Sequence, residues 1–268
     1  MARKANKVKR LTKKEIYNLY GIEYDGNNHI NSPLGWIPLL LVDGNGKVGK
    51  GVYHYSTCPG NFMYDIVVNN MSYTVQGTCP CNCVGCYAMS GNYTRYGYDN
   101  VGMRTLIARK HLDFMRRAVI AQIKADNIKL CRIHASGDFF SAEYVNAWKD
   151  IIKECPDCTF WTYTKNKAAE DAFKDFDNAN IVKSLIPHIG VNYGHCDYIL
   201  AVYKELKRQG KTVYICRCGI DKNQHCVNCK GCSVNEYVLF IEHSTEYKAE
   251  KDPAFNELKT IIENQPKI

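Results

Sequence analysis

No stretch of the chain approaches the ~20 consecutive apolar residues that a membrane-spanning helix needs, although 46% of its 268 residues are nominally hydrophobic. That share leans on 19 Tyr and 14 Cys, so the chain is less apolar than the figure suggests. The opening segment, MARKANKVKRLTKKEI, lacks the apolar h-region and small-residue cleavage site of a secretory signal. The expected location is therefore the cytoplasm, with no membrane partner. Acidic residues are missing from 1–14, where Arg3, Lys4, Lys7, Lys9, Arg10, Lys13 and Lys14 stand; they carry most of the net +8 and leave about +1 on the other 254 residues. A basic stretch such as 3–14 reads first as a solvated tail and second as an arm for nucleic-acid phosphates. A Gly-rich dinucleotide fingerprint is also absent.

What the chain does have is cysteine, and it is clustered. In a cytoplasmic protein, clustered cysteines point to metal or redox chemistry rather than to a disulfide framework. TVQGTCPCNCVGCYAMSG (74–91) puts four of them into eight positions. Cys79-x3-Cys83-x2-Cys86, with Cys81 between, offers three thiolates on one short loop. Three suit a 4Fe–4S cluster whose fourth iron has no protein ligand, whereas a closed structural zinc site takes four. A zinc knuckle from Cys79, Cys81, Cys83 and Cys86 is the cramped alternative. The second group is CRCGIDKNQHCVNCKGCS (216–233). Cys226-x2-Cys229-x2-Cys232 has ferredoxin-like spacing, with Cys216 expected as the fourth ligand and Cys218 as its alternate; a structural zinc held by four of these five is the competing reading. Cys155-x2-Cys158 reads as incidental thiols ahead of a redox pair. Cys58, Cys131 and Cys196 read as single thiols.

The body alternates between strand-like and helix-like segments. Strands are expected at 72–77, 129–137, 159–164, within 181–192 (broken at Pro187), at 212–216 and at 236–243. Helices are expected at 101–126, with Leu106, Ile107, Met115, Val119 and Ile123 at helical spacing, and at 141–154, 167–176 and 197–209. Short links between alternating elements imply a parallel sheet. The fold expected is α/β, a partial (β/α)6 barrel over 71–210, preceded by an extension (1–70) with a β-hairpin around DGNGK. Residues 211–268 would supply the last strands and the Cys-rich metal segment.

This placement sets the polar motifs at the ends of successive strands: the cysteine loop after the first, SGDFF (136–140) after the second, YTKN (163–166) after the third, VNYGHC (191–196) after the fourth and CRCG (216–219) after the next. Barrel sites form there, from several loops at once. His134 is equally a core histidine or a site residue. Tyr163 and Lys165 are candidates for a ribose or carboxylate contact, although a solvated lysine is the default for the latter. Asn192 and His195 are weaker candidates of the same kind. Trp148 and Trp161 read as ordinary core.

The cysteine spacing after a first strand resembles the radical S-adenosylmethionine superfamily. CPCNCVGCYA, RIHASGDFFS followed by YVNAW, and FWTYTK are similar to a family found in phage genomes, gene product 88, over roughly residues 70–245. The superfamily resemblance implies an enzyme with a 4Fe–4S cluster on Cys79, Cys83 and Cys86. Its open iron would bind S-adenosylmethionine, and one-electron reduction would cleave that cofactor so that hydrogen is abstracted from a substrate. It also implies that Ser136, Gly137 and Asp138 stand where the amino group of the methionine moiety is received, and that an electron donor such as flavodoxin or ferredoxin is a partner. Extra C-terminal clusters fit the same resemblance. Two positions depart from it: Gly85 replaces the usual aromatic before the third cysteine, with Tyr87 after it, and Cys81 has no counterpart. The competing class is a non-catalytic iron–sulfur or zinc-braced module that binds nucleic acid.

Overall fold

The computed structural model describes residues 10–44, 48–80, 83, 86–89, 98–184, 193–220, 224–241 and 252–266. Helix α1 (Lys13–Leu19) starts at a capping box, in which Thr12 accepts from the Glu15 backbone and Glu15 accepts from the Thr12 backbone at 2.7 Å. Strands β1 (Glu23–Tyr24), β2 (His29–Ser32) and β3 (Gly35–Pro38) form a small antiparallel sheet. β4 (Val42–Asp43) and β5 (Val52–Tyr55) follow as a hairpin, and then β6 (Met63–Val68) and β7 (Met71–Gln76) as another. Helices α2 (Asp99–Lys110) and α3 (Leu112–Asp126) lead to β8 (Leu130–Ile133). From there strand and helix alternate: α4 (Ala142–Glu154), β9 (Thr159–Thr164), α5 (Lys167–Phe173), β10 (Ala179–Lys183), β11 (Tyr193–Gly194), α6 (Cys196–Arg208) and β12 (Val213–Ile215). Two single-turn helices, α7 (Cys226–Cys229) and α8 (Gly231–Val234), precede β13 (Tyr237–Ile241) and α9 (Pro253–Glu263).

The sheet that positions the site has the order β10-β9-β8-β5-β4. β5, β8, β9 and β10 are parallel and β4 is an antiparallel edge. The register pairs Tyr55 with Ile133, Ile133 with Thr162 and Thr164 with Lys183, so the carboxyl ends of four strands line up along one rim. A second parallel sheet, β11-β13-β12, carries the C-terminal part. The Lys183 amide donates to the Glu236 carbonyl at 2.8 Å and joins the end of β10 to the approach of β13. Among the described residues the strands form several small sheets and no closed barrel. No helix described is long and apolar enough to cross a membrane.

Local chemistry accounts for the elements. α4 is capped by Ser141, whose hydroxyl accepts from the Tyr144 amide at 3.2 Å. It buries Tyr144, Val145, Trp148, Ile151 and Ile152 on one face, at helical spacing. Trp148, Tyr144, Tyr55, Phe139 and Phe160 are fully buried and anchor the main core. α6 and α9 supply a second core with β12 and β13 through Ile199, Leu206, Ile215, Leu239, Leu258 and Ile262.

Three expectations need correction. The strand at 71–76 does not open the parallel set; among the described residues it pairs only with β6. Asn69 and Asn70, with φ of 50° and 63°, make the two-residue turn that fits a hairpin's twist. The strand that does open the parallel set is β5, inside the segment expected to be an extension, because it pairs with β8 along its whole length. The helix expected over 101–126 is two helices, broken at His111 (φ −137°, ψ 50°). Its halves serve different partners: α2 packs on the β6–β7 hairpin, and α3 on α1 and α4.

Candidate metal centre

A cavity of about 80 Å³ opens at the aligned carboxyl ends of β5, β8, β9 and β10. Its walls bring together Cys79, Cys83, Cys86, the Ser136-Gly137-Asp138 turn, Tyr163 and Lys165. These residues come from three separate stretches of sequence. The volume is several times the ~10–15 Å³ that one water needs, so the space suits a multi-atom group better than a bare ion. Cys81 and Asn192 lie outside the described residues, as do Gly85 and residues 3–9. His195 is exposed at the start of α6 and does not line the cavity.

The loops are held by hydroxyls. Thr57 follows β5 and Thr78 precedes the cysteine loop; their Oγ1 atoms are 2.8 Å apart. Thr78 Oγ1 also donates to the Cys58 carbonyl at 3.0 Å and accepts from the Asp138 amide at 3.0 Å. Ser136 Oγ donates to the Thr57 carbonyl at 2.9 Å, so its role is to brace the turn. Gly137 has φ +85°, and a Cβ there would collide with both Thr57 Oγ1 and Thr78 Oγ1. Only glycine satisfies both conditions. These threonines escaped the sequence reading. Their signal was a repeated Thr-Cys-Pro, at 57–59 and again at 78–80.

Asp138 is 7% exposed. Its Oδ1 accepts from Thr164 Oγ1 at 2.5 Å and from the Phe139 amide at 2.8 Å, and Oδ2 accepts from the Lys165 amide at 3.2 Å. Burial pushes its pKa up, and these donors oppose the shift. Lys165 Nζ lies 3.2 Å from Cys83 Sγ, which sets a cation against a sulfur. Burial raises the Cys79 thiol to about 12, with the nearby Asp138 carboxylate adding to it. His134 is 2% exposed and sits at φ 62° on the cavity wall. Its Nε2 is 2.9 Å from the Tyr144 hydroxyl, while Nδ1 is buried and has no hydrogen-bond partner among the described residues. Desolvation lowers its pKa to about 3. It is thus both core and wall, the two roles between which its sequence position left an even choice.

Among the described residues no three His, Cys, Asp or Glu side chains converge as a single ion requires. A 4Fe–4S cluster takes each thiolate on a different iron, and a lined cavity with three thiols and a cation on its wall fits that donor set.

The second cysteine group also assembles. Cys216, Cys218, Cys226, Cys229 and Cys232 line a smaller cavity of about 20 Å³ with Trp161 and Tyr214. The Cys216 amide donates to the Leu239 carbonyl at 2.8 Å, which holds the end of β12 against β13. Gly231 is required because a Cβ would enter the Tyr214 ring. Hydrogen bonding with the Cys218 thiol, ahead of burial, pushes up the pKa of both Cys216 and Cys226. The Cys229 thiol instead lies 3.0 Å from the Tyr214 hydroxyl. Tyr163 bridges the two cavities. Its ring walls the first under the Arg132 guanidinium (4.8 Å), and its hydroxyl hydrogen-bonds with the Cys232 thiol of the second.

The remaining candidates are structural. Cys58, Cys131, Cys155, Cys158 and Cys196 are buried. Burial raises the Cys155 thiol to about 12, the opposite of what a nucleophilic pair needs. Trp148 and Trp161 are core at 0% and 4% exposure. In the basic segment, Lys13 is ion-paired with Asp126.

No solved structure matches the chain. Two curated relatives match short segments, both named Gene 88 protein. That of Mycobacterium phage L5 is 54% identical over 41 residues, covering 15% of this chain and 17% of that protein. That of Mycobacterium phage D29 is 40% identical over 65 residues, covering 24% and 25%. The chain therefore spans a quarter or less of each relative in these matches. The family model described as gene product 88 matches residues 9–251, nearly the whole length, and the chain belongs to the gene product 88 family.

Proposed function

We propose that the first cavity holds a 4Fe–4S cluster on Cys79, Cys83 and Cys86, and that the protein is an enzyme of the radical S-adenosylmethionine type acting on a substrate yet to be identified. The carrying observation is the convergence of three cysteines, the Ser136-Gly137-Asp138 turn, Tyr163 and Lys165 on one cavity at the ends of parallel strands. Under this reading the two parallel sheets are parts of a partial (β/α)6 arc, which the hydrogen bond from Lys183 to Glu236 supports. When bound and reduced, such a cluster supplies the electron that cleaves S-adenosylmethionine and so leads to hydrogen abstraction.

The chain's own residues bind, orient and exclude water. Cys79, Cys83 and Cys86 would hold three irons of the cluster and leave the fourth without a protein ligand, open to the cofactor's amino and carboxylate groups. Asp138, anchored by Thr164 and two backbone amides, presents negative charge to the amino group from a fixed position. Lys165 offsets charge at Cys83. His134 offers on the wall a ring nitrogen without a hydrogen-bond partner among the described residues. The electron comes from a donor such as flavodoxin or ferredoxin, and the working compartment is the cytoplasm. The test is iron stoichiometry in anaerobically purified protein. Replacing all three cysteines with Ala should remove one cluster's iron, and unchanged iron in a folded triple variant contradicts the reading.

A further inference from the structure

We infer that the C-terminal cysteines form a second thiolate-ligated metal centre held by Cys216, Cys218, Cys226 and Cys232, with Cys229 outside its shell and Tyr163 as a positioning residue between the two cavities. This does not rest on the radical S-adenosylmethionine reading, since it concerns different residues and a different cavity.

Spacing alone selects Cys229, through Cys226-x2-Cys229-x2-Cys232, and makes Cys218 an alternate. The geometry reverses that choice. Cys216, Cys218, Cys226 and Cys232 line one cavity, the Cys218 thiol neighbours the other three, and it also donates to the Gln224 carbonyl at 3.0 Å. Cys229 instead pairs with the Tyr214 hydroxyl at 3.0 Å, which accepts from Arg217 Nε at 3.3 Å. Local backbone explains the change of partner. Lys230, at φ 50°, ends α7 in a left-handed turn, and Gly231 lets the chain pass directly against the Tyr214 ring. Cys232 is thereby set beside Tyr163, and Cys229 stays against Tyr214. Cys218 comes from the single turn after β12, so the four thiols reach the site from three segments, as a fold-bracing centre requires.

Among the described residues no three of these side chains converge as a single ion requires, so the occupant inferred is an iron–sulfur cluster, which takes each thiolate on a different iron, and zinc is the outcome that overturns it. Full-length protein is purified anaerobically and its iron, acid-labile sulfide and zinc are counted per chain. The variants are Cys79→Ala/Cys83→Ala/Cys86→Ala, Cys218→Ser, Cys229→Ser and Tyr163→Phe. The triple variant is expected to keep one centre, seen as about four irons with matching sulfide; about one zinc in their place overturns the cluster. Cys229→Ser should keep that centre and Cys218→Ser should lose it. Tyr163→Phe, placed on the triple variant so that only the second centre is read, should keep the iron but shift the sulfur-to-iron charge-transfer band; an unmoved band removes Tyr163 from the proposal. Retention in Cys218→Ser with loss in Cys229→Ser overturns the ligand set. A folded triple variant without metal overturns the centre, while leaving the first-cavity reading to its own test. Should Cys218→Ser fail to fold, a mercurial titration of the wild-type chain decides, with released metal counted and modified thiols located by mass spectrometry. Release that follows modification of Cys229 in place of Cys218 contradicts the assignment.

Discussion

Asp138 and His134 show what burial does to single residues around the first cavity. Asp138 keeps a carboxylate inside the protein because three donors compensate for lost water. Asp138→Asn turns one acceptor into a donor facing fixed amides. It should lower stability by about 1–3 kcal/mol and weaken S-adenosylmethionine binding by about 1.5–3 kcal/mol, with iron content unchanged; thermal melts, calorimetry and metal analysis check the three parts. His134 gives a pH prediction. Its folded pKa, about 3, lies below the unfolded value near 6.5, so the unfolded chain binds the extra proton. Stability attached to this group is complete above pH ~6.5 and falls with acidification, by about 2 kcal/mol at pH 5. His134→Asn, a residue that tolerates φ 62°, should flatten the difference between melts at pH 7.5 and 5; an equal drop in the variant contradicts the assignment. At this scale the cysteines and the Ser-Gly-Asp turn were legible because their residue types carry the chemistry. Thr57, Thr78 and Thr164 were not, since a threonine shows its role only through the partner that folding brings to it.

The elements around the cavity are fixed by a few backbone requirements. Gly137→Ala faces both a positive φ and a collision with two threonine hydroxyls. It should cost at least ~2 kcal/mol and impair metal loading, whereas a substitution at the open turn of Gly210, with nothing near its Cβ, should leave metal loading unchanged. Thr78→Val removes the hydroxyl shared among Thr57, the Cys58 carbonyl and the Asp138 amide. A loss of about 1–3 kcal/mol with unchanged helix content by circular dichroism is expected. Helix α4 was readable because its cap and apolar stripe are local signals. The role of β7 was misread because a strand's pairing partner is not local: Val75 is its one buried residue, and the Asn69-Asn70 turn, rather than its apolar pattern, commits it to β6.

Across the whole molecule, the segment before residue 71 is structural. It supplies β5, a strand inside the main sheet, and α1, which packs on α3. A chain starting at residue 71 should therefore fail to fold cooperatively, as judged by circular dichroism and thermal melting; a native-like melt would show that the boundary at 70 is real. The alternation of strands and helices was legible in the sequence, but the sheet order was not, because β5 reaches β8 only after the hairpin, the cysteine loop and two helices have intervened. The cysteine loop nevertheless reaches the rim of the parallel strands, because it is tied through Thr78 to Thr57 at the end of β5. The most direct test of the central claim is to reduce anaerobically reconstituted full-length protein with dithionite in the presence of S-adenosylmethionine and measure 5′-deoxyadenosine by chromatography. The wild type is expected to release it and Cys83→Ala to release none; a fully iron-loaded wild type that releases no 5′-deoxyadenosine, and whose cluster spectrum does not change when the cofactor is added, overturns the radical S-adenosylmethionine reading.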